Sequence, residues 1–120
     1  MIGGIKTMAE MIINIATDFS KTPGGRYRTD GPASGEEFRE RVLLPAVKQA
    51  GENKGHVTVI LDGARGYPSS FLEEAFGGLV RQLKISPTEF RKRVGFTASP
   101  AFSIYVDDIM SYIDETAANA

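Results

Sequence analysis

Two adjacent hydroxyls, Ser69 and Ser70, stand where the apolar run Val57 to Leu61 passes through Asp62-Gly63-Ala64-Arg65-Gly66-Tyr67-Pro68 into an amphipathic pattern. That order predicts a strand, a tight turn and a helix N-terminus in succession. At a helix start the first backbone N–H groups lack intrahelical partners and the macrodipole presents its positive end, so an anion is favoured there. A serine at such a point can cap the helix, hold an anion or carry a phosphate.

A second group of residues fits anion or partner binding. Between Asp18 and Gly35 the chain is dense in Gly, Pro, Ser, Thr and Asp, which is loop chemistry. Within it, Gly24 and Gly25 permit close backbone approach, while Arg26 and Arg28 carry planar, fork-shaped donors. No Gly-Lys-Ser/Thr ending follows, so this is not a phosphate loop of the P-loop type. With Arg65 and Tyr67 from the turn before Ser69, these residues form the candidate anion or partner site. Asp62 and Arg65 are expected to make an ion pair at the sheet edge, and His56 to be a solvated residue at a strand start. Glu73 and Glu74, being adjacent, point to different helix sectors and suit the helix dipole better than acid–base chemistry.

Stepping outward, the elements that would hold these residues are legible from periodicity. Met11 to Ala16 reads as a first strand, His56 to Asp62 as a second and Arg93 to Ala98 as a third. Arg26 to Thr29 suits a short edge strand within the loop. Ser34-Gly35-Glu36-Glu37 is a capping box opening a helix, which Pro45 should kink or divide. From Ser70 to Lys84 the residues Phe71, Leu72, Ala75, Phe76, Leu79, Val80 and Leu83 form one apolar stripe. Gly77-Gly78 contradicts that helix locally, at roughly 1 kcal/mol per glycine, and implies a neighbour pressed against it. Ser86-Pro87-Thr88-Glu89 opens a short helix, and a last helix begins near Ser99-Pro100, although Phe102 to Val106 also alternates like a strand. The alternation of strands and helices predicts an α/β layer, a small sheet with helices packed on it.

Composition sets the outer limits. The chain of 120 residues suits one domain, with 42% hydrophobic and 24% charged residues. A net charge of −1 disfavours electrostatic binding of nucleic acid. With no cysteine and one histidine there is neither thiol chemistry nor a multi-histidine metal site within one chain. No apolar run is long enough for a membrane span, and the N-terminus does not read as a secretory signal, so a cytoplasmic protein is expected. Residues 1–10 are weakly patterned and expected to be loose, with a single domain over residues 11–117.

Three stretches together carry a resemblance: Asp18-Phe19-Ser20-Lys21-Thr22-Pro23-Gly24-Gly25-Arg26-Tyr27, then Asp30-Gly31-Pro32-Ala33-Ser34-Gly35-Glu36, then Gly66-Tyr67-Pro68-Ser69-Ser70-Phe71-Leu72-Glu73-Glu74-Ala75-Phe76-Gly77-Gly78-Leu79. They are similar to a bacterial and archaeal STAS-like domain family of unknown function. The wider STAS class includes the anti-sigma factor antagonists. It implies a compact α/β domain with no metal or organic cofactor, acting as a non-enzymatic regulatory module. Its bacterial antagonists bind kinases with a GHKL-type ATPase fold and are switched by serine phosphorylation. On that pattern Ser69 matches the phosphorylated position and Ser70 the next, with Pro68 where the class has an acidic residue and Phe71 where it has glycine. The alternative function is a small-ligand or nucleotide-binding domain using Arg26, Arg28 and Arg65 as anion donors.

Overall fold

In the computed structural model, residues 10–118 are described, and most of the stretch expected to be loose lies outside them. Glu10, expected to close that stretch, instead opens the first strand. The order is β1 (Glu10–Asn14), α1 (Ile15–Asp18), a 3-10 turn (Arg28–Asp30), α2 (residues 35–52), β2 (His56–Ile60), α3 (residues 69–83), α4 (Pro87–Arg93), β3 (Val94–Thr97) and α5 (Ser103–Ala118). The three strands form one parallel sheet in the order β1-β2-β3, with Ile13 beside Val59 and Val59 beside Phe96. The fold is the expected α/β one, a small sheet with helices packed on it.

The sheet's two faces follow from the period of two along each strand. Met11, Ile13, Val57, Val59, Val94 and Phe96 share the face under the helices. Ile12, Thr58 and Gly95 lie side by side on the other, where Ile12 is 63% exposed. Covering the first face are Phe38, Phe71, Phe76, Leu79, Phe90, Ile109 and Ile113, all fully buried. β2 is the central strand, as its continuous apolar run requires.

Three local expectations are corrected, and one, at Pro45, is met in its own form. The first strand stops at Asn14 rather than running to Ala16, because Asn14 caps a helical turn. Its side chain accepts from the Thr17 N–H at 3.3 Å, and its own N–H donates to the Asp18 carboxylate at 2.8 Å. No edge strand forms at Arg26 to Thr29. Asp30 closes that stretch into a turn, accepting the Tyr27 N–H at 2.8 Å and donating its own N–H to the Tyr27 carbonyl. Pro45 was expected to kink or divide its helix, and α2 is in two α segments, although the chain stays helical between them. A π turn over Arg39–Leu43 precedes the α segment Leu44–Glu52, and Leu44 keeps helical dihedrals. The wider turn absorbs the hydrogen bond that a proline cannot make. Asp62 and Arg65 form no ion pair, since Asp62 is turned towards the end of the third strand, as described below.

The Gly77-Gly78 expectation holds. A β-carbon on Gly78 would collide with the guanidinium of Arg39, and one on Gly77 would fall 2.8 Å from Glu73 Oε2. A further π turn, Glu73–Gly77, lies in α3 at the same place. The missing side chains make a trough through which arginine reaches the glutamates of α3.

Candidate functional site

The loops at the carboxyl ends of the three strands meet at one edge of the sheet. The Arg65 N–H donates to the Lys21 carbonyl at 2.8 Å, joining the turn after β2 to the loop after β1. Asp62 Oδ1 accepts the Ser99 N–H at 2.8 Å, joining it to the segment after β3. Hydrogen bonding from Ser99 holds the Asp62 carboxyl below its ordinary range. A ligand or partner of an open α/β sheet meets such an edge.

Ser69 is the first helical residue of α3, at this edge. The cap position belongs to Pro68, extended at φ −59° and ψ 144°, which supplies no side-chain hydrogen bond. Ser69 is exposed and Ser70 half-buried, and neither hydroxyl bonds to another described group. By contrast Ser34, Ser86 and Asn14 each accept a backbone N–H at the start of their own helices. The plain capping role is therefore taken by other residues elsewhere and by none at Ser69.

Tyr67 is corrected from an outward contact to a buried one. It is 6% exposed, its hydroxyl donates to the Leu61 carbonyl at 2.7 Å, and its ring meets Phe102 and Tyr105 edge-on. Burial, with the charge of Asp62 beside it, pushes the phenol's pKa up. Tyr67 shapes the turn before Ser69 and presents nothing outward.

The loop residues are engaged with their own chain. The Gly24 N–H donates to Ala33 at 2.7 Å and the Gly25 carbonyl accepts from Gly35 at 2.9 Å, so the loop closes on itself. Arg28 pairs with Glu40 at 3.0 Å, and its N–H donates to Glu36. Arg26 reaches across to α3, to Glu73 at 2.5 Å and Glu74 at 3.4 Å. Arg65 alone of the three candidate arginines is exposed without an ion pair among the described residues.

A feature missed in the sequence is the ionic mesh on which Arg26 lands. Glu74 is 8% exposed and Arg39 9%, yet both are satisfied: Arg39 donates to the Glu74 carboxylate and carbonyl, each at 2.7 Å, and to Gln82 at 3.1 Å. Arg39 also lies 3.9 Å from Glu40. Arg81 returns to Glu73 at 2.6 Å. Burial alone would raise the Glu73 carboxyl, but hydrogen bonds from Arg81 and Arg26 overcome it and hold the pKa below normal. The same bonds raise Arg26 and Arg81, with Glu73 the leading cause. Glu73 and Glu74 thus do more than complement the helix dipole. The only sequence signal was the pair of glycines one turn further on.

The family model for a STAS-like domain of unknown function (DUF4325) matches residues 34–99. The chain belongs to this STAS-like family. The matched span contains Ser69, Ser70 and both glutamates of the mesh, while the Gly24–Arg28 loop precedes it. No curated protein and no solved structure matches the chain. No described helix is long and apolar enough to cross a membrane.

Proposed function

We propose that the protein is a non-enzymatic regulatory module that binds a protein partner through the edge at the carboxyl ends of its strands, and that phosphorylation of Ser69 switches that binding. One observation carries the proposal: Ser69 is exposed at the first turn of a long helix, with its hydroxyl in neither a cap nor any other bond among the described residues. A hydroxyl so placed is free to enter a kinase, and the helix end accommodates the added charge locally. The partner class, an ATPase or kinase of the GHKL type, follows from the resemblance to anti-sigma factor antagonists. Arg65 stands exposed in the turn four residues before the serine and would contact the partner directly.

Nucleotide binding by the Gly/Arg-rich loop is the weaker alternative, because Arg26 and Arg28 already hold carboxylates of their own chain. The test is incubation with a candidate GHKL-type ATPase and ATP, followed by peptide mass spectrometry. Phosphate on Ser69 is the expected result. An unmodified Ser69-Ser70 peptide, with partner binding unaffected by Ser69→Asp, would overturn the proposal.

A further inference from the structure

Helix α3 carries two stripes at a spacing of four residues: Ser69, Glu73, Gly77, Arg81 and Ser70, Glu74, Gly78, Gln82. Three guanidinium groups share the two carboxylates in their middle. Glu73 holds Arg26 at 2.5 Å and Arg81 at 2.6 Å. Glu74 holds Arg39 at 2.7 Å, with Arg26 at 3.4 Å and Arg81 at 3.8 Å. Each carboxylate therefore keeps another arginine if Arg26 departs, and no buried charge is orphaned. The Arg39–Glu74 pair has no such freedom, because both side chains are only 10% exposed. Arg26 is 32% exposed and comes from the loop, not from a helix.

Ser69 lies one turn before Glu73 on the same stripe, with roughly 5–6 Å between their β-carbons. Arg26 thus stands over a glutamate whose neighbour towards the helix start is a free hydroxyl. We propose that Arg26 is a transferable clasp: it pins the loop to Glu73 and Glu74 at rest, and moves to Ser69 when that serine carries a phosphoryl group, drawing the loop towards the start of α3. The clasp rests on Ser69 as the phosphate acceptor.

The chemistry balances simply. Ser69 Oγ bonds to the γ-phosphorus of ATP, the bond from that phosphorus to ADP breaks, and the hydroxyl proton passes to the kinase's base. The product carries about two negative charges and three acceptor oxygens, against one charge on Glu73. Like charge at this spacing also repels Glu73, which loosens the resting contact from its other side.

The experiment installs phosphoserine at position 69 during translation, so no kinase is involved. Phosphorus NMR then follows the second ionisation of the phosphate, ordinarily at pH ~6. A guanidinium in contact favours the dianion, so the midpoint in the otherwise unaltered chain should lie below that of the Arg26→Ala chain by about one pH unit. Glu73→Gln removes the resting partner and the repulsion, and should lower the midpoint further. Hydrogen exchange of the amides at 24–35 should respond to the phosphate in the unaltered chain and not with Arg26→Ala. Equal midpoints with and without Arg26, or the same exchange response in both chains, would overturn the clasp. Such a failure would leave Ser69 standing as an acceptor, because the kinase experiment tests that separately.

Discussion

Ser34 and Ser69, both at helix starts, behave differently, and the difference is physical. Ser34 is fully buried and accepts the Glu37 N–H at 3.0 Å. Ser34→Ala should therefore cost about 1–2 kcal/mol in urea denaturation. Ser69→Ala, which removes no internal bond, should change stability by less than about 0.5 kcal/mol. Equal losses would show that Ser69 is a cap after all. The serine cap at Ser34 was legible from the Ser-Gly-Glu-Glu pattern, but the reciprocal half of the expected capping box does not form, because the Glu37 carboxylate pairs with Arg41 instead. Ser69's release from capping was not legible, because it depends on Pro68, rather than a serine, taking the cap position. Glu73 supplies a second test. Its folded pKa lies below the ordinary 4.5, so its contribution is fully present above the unfolded value and is lost as pH falls through the folded one. Acid denaturation curves should show the Glu73→Gln chain losing less stability than the unaltered chain as pH falls from about 5 to 3. An unchanged slope would mean that the mesh does not hold this carboxylate charged.

At the scale of elements, α2 and α3 are bound by a charge reaching through a gap. Gly78 leaves room for Arg39, and a β-carbon there would collide with its guanidinium and make it shift within the buried pair with Glu74. Gly78→Ala gains helix propensity of roughly 1 kcal/mol but overpacks a buried ion pair, and the net should be destabilisation by about 1–3 kcal/mol. A higher melting temperature for Gly78→Ala would refute the close-packing account. The two glycines announced that something presses on the helix. They did not announce an arginine, because Arg39 lies far away in sequence and becomes a neighbour only once the helices pack. The end of β1 was misjudged for a related reason. Ile15 and Ala16 look like strand residues, yet the Asn14 side chain accepts the Thr17 N–H while the Asp18 carboxylate accepts the Asn14 N–H, which turns the chain into a helix first.

Across the whole molecule, the order of strands and helices was legible because each apolar pattern is long and buried on one side. Phe76, fully buried, meets Phe38 and Phe96 edge-on and ties α3 to both α2 and the sheet. Phe76→Ala should cost about 3–5 kcal/mol, read from chemical denaturation; a loss under 1 kcal/mol would place the core elsewhere. Beyond the hint of the two glycines, the ionic mesh could not be read, since it joins residues from the loop, α2 and α3 that only the folded chain brings together. What emerges is an α/β body with an exposed hydroxyl, Ser69, uncommitted among the described residues, at the edge where the strand-end loops converge. The central claim is that this hydroxyl governs partner binding while the fold stays intact. Titration calorimetry of a candidate GHKL-type ATPase, the proposed partner, against the chain with and without phosphoserine at position 69, with melting curves of both, tests it most directly. The account predicts at least a tenfold difference in affinity, equivalent to about 1.4 kcal/mol, with nearly unchanged melting temperatures. Equal affinities, or an affinity that falls only because the phosphorylated chain unfolds, would contradict it.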